Sequence, residues 1–124
     1  MTKDNKIRLE ECSTLTNCSL INLESSKPDD AFKNIVELCK KLPRSEVIEE
    51  TTNYFHCVCR SLIFRFPDDL EILKLPKDGI IQIKSSSRVG VSDLGVNQNR
   101  INKLYKTLIN SFYNGKEKNV KIKM

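Results

Sequence analysis

At 124 residues and 14.3 kDa the chain suits one compact domain burying about two-thirds of its unfolded surface, and it argues against a second. With 39% hydrophobic and 30% charged residues, the composition is that of an ordinary globular protein, which excludes a disordered, collagenous or membrane chain. The formal charge of +5 points to a polyanion partner only until it is located: acidic and basic residues balance through residue 100, and the excess falls in 101–124.

The N-terminus is polar, with Lys3, Asp4, Lys6, Arg8, Glu10 and Glu11 where a secretory signal needs an apolar core, so a flexible segment over 1–11 is expected. No apolar run approaches the roughly 20 residues of a membrane span. A cytoplasmic location is the resulting expectation. Cys12, Cys18, Cys39, Cys57 and Cys59 are an odd number without a secretory context, which predicts reduced thiols in place of a disulfide framework.

A short apolar patch at 19–23 reads either as an edge strand or as a segment lying against the core. Residues 28–42 read as a helix: Ser26 or Lys27 caps it, Pro28 takes the first position, and Asp29 and Asp30 complement the macrodipole. Ala31, Ile35, Leu38 and Leu42, with Phe32, Val36 and Cys39, form its buried stripe. Pro43 stops it. The period then changes to two, predicting strands over 47–51, 54–61, 69–75 and 79–87, with Pro76-Lys77-Asp78-Gly79 as a tight turn. A second helix is predicted over 98–114, capped by Asn97, with Ile101, Leu104, Tyr105, Leu108 and Phe112 inward and Gly115 closing it. The expected fold is α+β: a two-layer domain over 12–114, an antiparallel sheet of four to five strands covered by two helices, then a basic tail over 115–124.

Between the last strand and the second helix, residues 85–100 gather two glycines, several hydroxyl and amide side chains, Asp93, Arg88 and Arg100. Backbone N–H groups at a helix N-terminus beside guanidinium groups suit an anion. The competing reading is an ordered loop in which Arg88 pairs with Asp93, Asp68 or Asp69 and the hydroxyls cap backbone groups, the commoner use of such residues.

These residues also carry a resemblance. Tyr54-Phe55-His56, Arg60-Ser61, Phe64-Arg65-Phe66-Pro67-Asp68-Asp69-Leu70-Glu71, Gly79-Ile80-Ile81, Ser85-Ser86-Ser87-Arg88-Val89-Gly90, Ser92-Asp93-Leu94-Gly95-Val96-Asn97 and Arg100 resemble the domain-of-unknown-function family numbered 1499, and Asn17-Cys18 resembles its Asn-Cys element. The likeness spans about residues 12–110. Pro67 and Ser86 depart from the aliphatic residue and the alanine common there, and neither departure removes a charged motif position. The resemblance implies a bacterial or chloroplast-type origin and no established reaction. It puts weight on Arg60, Arg65, Asp68, Asp69, Ser87, Arg88, Ser92, Asp93, Asn97 and Arg100, either as a network locking the 66–70 connection to the 88–97 loop or as the lining of a ligand pocket.

Other chemistries find less support. Cys57 and Cys59 share a strand face with Phe55, His56 takes the opposite face, and Cys12 and Cys18 lack a zinc-knuckle spacing, so no metal site is expected. His56 is the only histidine, and partial surface exposure on a strand face beside Tyr54 is its simplest role. Adjacent Asp68 and Asp69 point oppositely in an extended segment, which argues against a shared-proton pair. The C-terminal lysines lack interleaved stacking aromatics, which argues against nucleic acid. No cofactor is implied.

The reading that remains is a non-catalytic binding or accessory protein. Its surface of Arg60, Asp68, Asp69, Ser87, Arg88, Ser92, Asp93, Asn97 and Arg100 would recognise a protein partner or a small anionic ligand. The alternative is a small enzyme on a carboxylated or phosphorylated substrate, with Asp68 or Asp93 as base and Arg88 as electrostatic partner.

Overall fold

The computed structural model describes residues 8–12, 18–60, 66–88 and 121–123. In chain order the elements are β1 (Cys18–Glu24), α1 (Pro28–Lys40), β2 (Ser45–Glu50), β3 (Tyr54–Arg60), β4 (Pro67–Leu75), β5 (Ile80–Ser87) and β6 (Lys121–Lys123). The strands form one antiparallel sheet ordered β2-β3-β4-β5-β1-β6. The α+β class and the antiparallel meander of the sequence reading hold. The second helix expected over 98–114 lies outside the described residues.

Several expectations are corrected. The 19–23 patch is an interior strand, because β1 pairs with β5 along its whole length and with β6 on its other side. Sequence order hides this placement: the chain leaves β1, crosses the sheet through α1, and begins the meander at the far side. The segment read as a tail contributes β6, and the segment read as a flexible N-terminus contains a buried Leu9. Cys12 and Cys18, expected as free thiols, form a disulfide; the six-residue separation brings their Cα atoms to 5.6 Å, well within bridging range. Cys39, Cys57 and Cys59 are free and buried.

Helix α1 starts as its sequence dictates, with Pro28 in the first turn and Asp29 and Asp30 at the positive end of the dipole. Lys27 takes the cap position without a side-chain bond. Instead Ser25 Oγ accepts the Lys27 N–H at 3.0 Å, and Lys41 and Leu42 end the helix with tightened bonds to Leu38 and Cys39. Ala31, Phe32, Ile35, Val36 and Cys39 pack on Ile21, Leu23, Phe55, Cys57, Cys59, Leu70, Ile72, Ile81 and Ile83. Phe55, Ile72 and Ile83 lie in one cross-strand row, as do Cys57 and Leu70, so the centre of the helix face is apolar from β3 to β5. Such a face drives folding through area removed from water.

Two local devices fix the sheet. The 76–79 turn closes with Asp78 N–H to Leu75 and Gly79 N–H to Pro76, and Gly79 has φ +64°. A side chain there would be strained, and its Cβ would meet the Ser25 carbonyl at 3.1 Å, where Ser25 N–H already bonds Gly79 O at 2.8 Å. The outer strand β2 exposes Val47 and Ile48, but its register shifts between Val47 and Glu49, and Glu46, Glu49 and Glu50 add charge. A bulge and like charges discourage edge pairing.

Candidate functional site

The register places the predicted site residues on two faces. Asp68 pairs with Cys59 and Ser87, in alternation with Leu70, so it lies on the helix side and is only 5% exposed. Asp69 pairs with Val58 and Ser86 and takes the opposite side, with His56 and Glu71. The proposed single surface is therefore split: Asp68 and Ser87 sit on one face, and Arg60, Asp69 and Arg88 on the other. Both Asp68 and Ser87 hold partners of their own. Ser92, Asp93, Asn97 and Arg100, with Arg65, lie outside the described residues.

Asp69 is the centre of the second face. Its Oδ2 accepts Arg88 Nε at 2.9 Å, and its Oδ1 accepts Arg88 Nη2 at 2.9 Å and His56 Nε2 at 2.7 Å. Burial raises the Asp69 pKa, but hydrogen bonds from Arg88 and His56 and their charges outweigh it and hold the carboxyl below its ordinary value. An ionised carboxylate only accepts, so the His56 Nε2 carries the hydrogen that points at it. Arg88 gains in return: the hydrogen bond and charge of Asp69 raise its pKa. The two-pronged bond fixes the guanidinium plane, and its side chain is 48% exposed.

Arg60 completes the geometry. It is paired with Pro67 in β4, and Arg88 N–H bonds the Pro67 carbonyl at 3.1 Å, so Arg60, Pro67 and Arg88 occupy one row across three strands. Alternation from His56 and Val58 puts Arg60 on the Asp69 face. Two strand spacings separate the arginines, about 10 Å between backbones. Arg44, at a left-handed φ of 56°, donates Nε to the Arg60 carbonyl at 3.0 Å and anchors that corner.

Sequence reasoning missed the links from Tyr54 and His56. Tyr54 is fully buried and donates its hydroxyl to Glu71 Oε2 at 2.9 Å; burial, then the Glu71 charge and hydrogen bond, raise its pKa far above the ordinary tyrosine value. His56 is partly exposed beside Tyr54, as expected, its ring tilted 59° at 6.4 Å, and it is also bonded to Asp69. The available signal was strand parity plus the hairpin register, which brings 69 beside 56 diagonally. On the same face Gln82 donates to Asn22 Oδ1 at 2.9 Å and accepts the Leu9 N–H at 2.8 Å. On the helix face Lys74 bonds Asp29 Oδ1 at 2.7 Å and lies 5.4 Å from the Phe32 ring centre. Among the described residues no buried side-chain nitrogen or oxygen lacks a partner.

Together these features define a small α+β protein with an apolar sheet face under one described helix and a hydrogen-bonded polar face opposite. Residues 3–108 match the family described as "Protein of unknown function (DUF1499)", and the chain belongs to that family. A comparison with curated proteins gives no match.

Proposed function

We propose that the chain is a non-catalytic binding protein in which Arg60 and Arg88 recognise a carboxylate or phosphate group across Pro67. The carrying observation is the row Arg60, Pro67, Arg88, with one guanidinium pre-oriented by Asp69 and half open to solvent. Pre-orientation matters because a planar guanidinium already fixed loses little freedom when it meets a planar or tetrahedral anion. The ligand's specificity then comes from two placed arginines and not from the net charge. His56, sharing the Asp69 carboxylate, stiffens the same unit.

The enzymatic alternative is less favoured by position: Asp68, one of its two expected bases, lies on the helix side while Arg88 engages Asp69 on the other. A direct test titrates citrate and inorganic phosphate into the protein at low salt and follows the Arg88 and Arg60 side-chain signals by nuclear magnetic resonance. Saturable shifts are expected, with affinity falling about tenfold in Arg88→Ala and only a small fall in Tm from loss of the Asp69 pair. Absence of saturation with either anion, or a large loss of stability in Arg88→Ala with anion shifts unaltered, would assign the network to structure alone.

A further inference from the structure

We propose that the Cys12–Cys18 disulfide is a reducible clasp holding residues 8–12 on the polar face of the sheet, so that a dithiol reductant uncovers the Tyr54–Leu73–Gln82 patch beside Asp69. Within 8–12 only Leu9 is buried: it packs on Tyr54 and Leu73, flanked by Leu20 and Leu75, while Arg8, Glu10 and Glu11 are exposed. Its N–H donates to Gln82 Oε1 at 2.8 Å and ties the segment to the sheet. One leucine and one hydrogen bond return less than the entropy lost in ordering five residues. The covalent link makes up the difference, since it leaves the segment little freedom to lose.

The clasp is also well placed. Cys18 pairs with Ser86, and Ser86 with Asp69, so the bridge stands in the row of the Asp69 carboxylate, two strands from it. Leu9 meets the row of Tyr54, Leu73 and Gln82 further along the same face. Opening the bridge therefore changes the surface next to the arginine unit without touching the helix-side core.

The chemistry balances as an exchange. One thiolate of a dithiol attacks Cys12 Sγ, the more exposed partner; the S–S bond breaks, its electron pair leaves on Cys18 Sγ, and that sulfur takes a proton. The second thiolate then displaces Cys12, which takes the second proton, and the reductant ends as its own disulfide. Two electrons and two protons pass to the protein. The other three thiols, Cys39 on α1 and Cys57 and Cys59 on the sheet face it covers, are buried, which keeps them out of the exchange; burial, with Cys59 nearby, also pushes the Cys39 thiol up to about 12.

The inference is independent of anion binding, because its readouts are thiol count and amide exchange. Protein purified in air and denatured is expected to show three free thiols, and five after dithiothreitol. Exchange of the Leu9 amide is expected to accelerate roughly ten- to thirtyfold both after dithiothreitol and in the Cys12→Ser, Cys18→Ser double variant, with the Ile72 and Ile83 amides unchanged. Five thiols before reduction would overturn the clasp, and so would equal Leu9 exchange in all three samples. Acceleration at Ile72 and Ile83 as well would overturn it in another way, by showing that the bridge holds the whole fold.

Discussion

The two faces of the sheet bury their side chains by different means, and the helix side buries more of them. On the helix side, Phe55, Leu70, Ile72, Ile81 and Ile83 meet α1, and what holds them is shape and area removed from water. On the other side, Tyr54, Gln82, His56 and Asp69 are buried or half-buried with polar atoms that must each find a partner, and they do: Glu71, Asn22, the Leu9 backbone and Arg88. The contrast teaches where specificity is stored. An apolar face tolerates exchange of similar volumes, whereas a hydrogen-bonded face demands particular atoms at particular places.

The comparison breaks most visibly on the helix side. Ile72→Ala removes a fully buried side chain from the centre of the apolar row and is expected to cost about 3–4 kcal/mol, read by urea denaturation. A loss below about 1 kcal/mol would mean that the helix face is far less tightly packed than its burial indicates.

Asp69→Asn sharpens the polar side. It removes the charge that fixes Arg88 and meets His56, and its expected cost is about 1 kcal/mol, reduced by the exposure of Arg88. The Asp69 carboxyl is held below its ordinary value, so its stabilisation is present above the unfolded carboxylate value near about 4 and is lost as pH falls through the lowered folded value. The gap between wild type and Asp69→Asn should therefore close on acidification, in denaturation curves taken from neutral to acid pH. A gap that widens in acid would contradict the assignment.

The smallest effect belongs to the rim. Lys40 bonds Glu50 Oε2 at 3.0 Å and its pKa is raised chiefly by that bond, yet both side chains are well exposed. Lys40→Ala is expected to leave the urea midpoint unmoved, because such pairs are screened by solvent.

Much of the scaffold was legible because its signals are local. Pro28, Asp29 and Asp30 mark a helix start, Pro76 and Gly79 mark a turn, and alternation marks strands 54–60 and 80–87. Parity also separated Asp68 from Asp69 correctly. What stayed hidden depends on pairing between distant segments. The interior position of β1, the diagonal from His56 to Asp69 and the contact of Leu9 with Gln82 depend on such pairing, and register is not written in any one stretch of chain. The odd cysteine number misled for a related reason: it counts three thiols of the core together with two on the opposite face.

Tyr54 has an optical consequence. The chain has no tryptophan and three tyrosines, so its near-ultraviolet signal comes chiefly from phenols. Above about pH 10 the Tyr54 of an unfolded chain ionises, while in the folded protein burial and Glu71 keep it neutral. Rising alkalinity therefore favours unfolding through this one side chain, and the Tyr54 share of the phenolate absorbance appears in a titration only as the sheet lets that residue go.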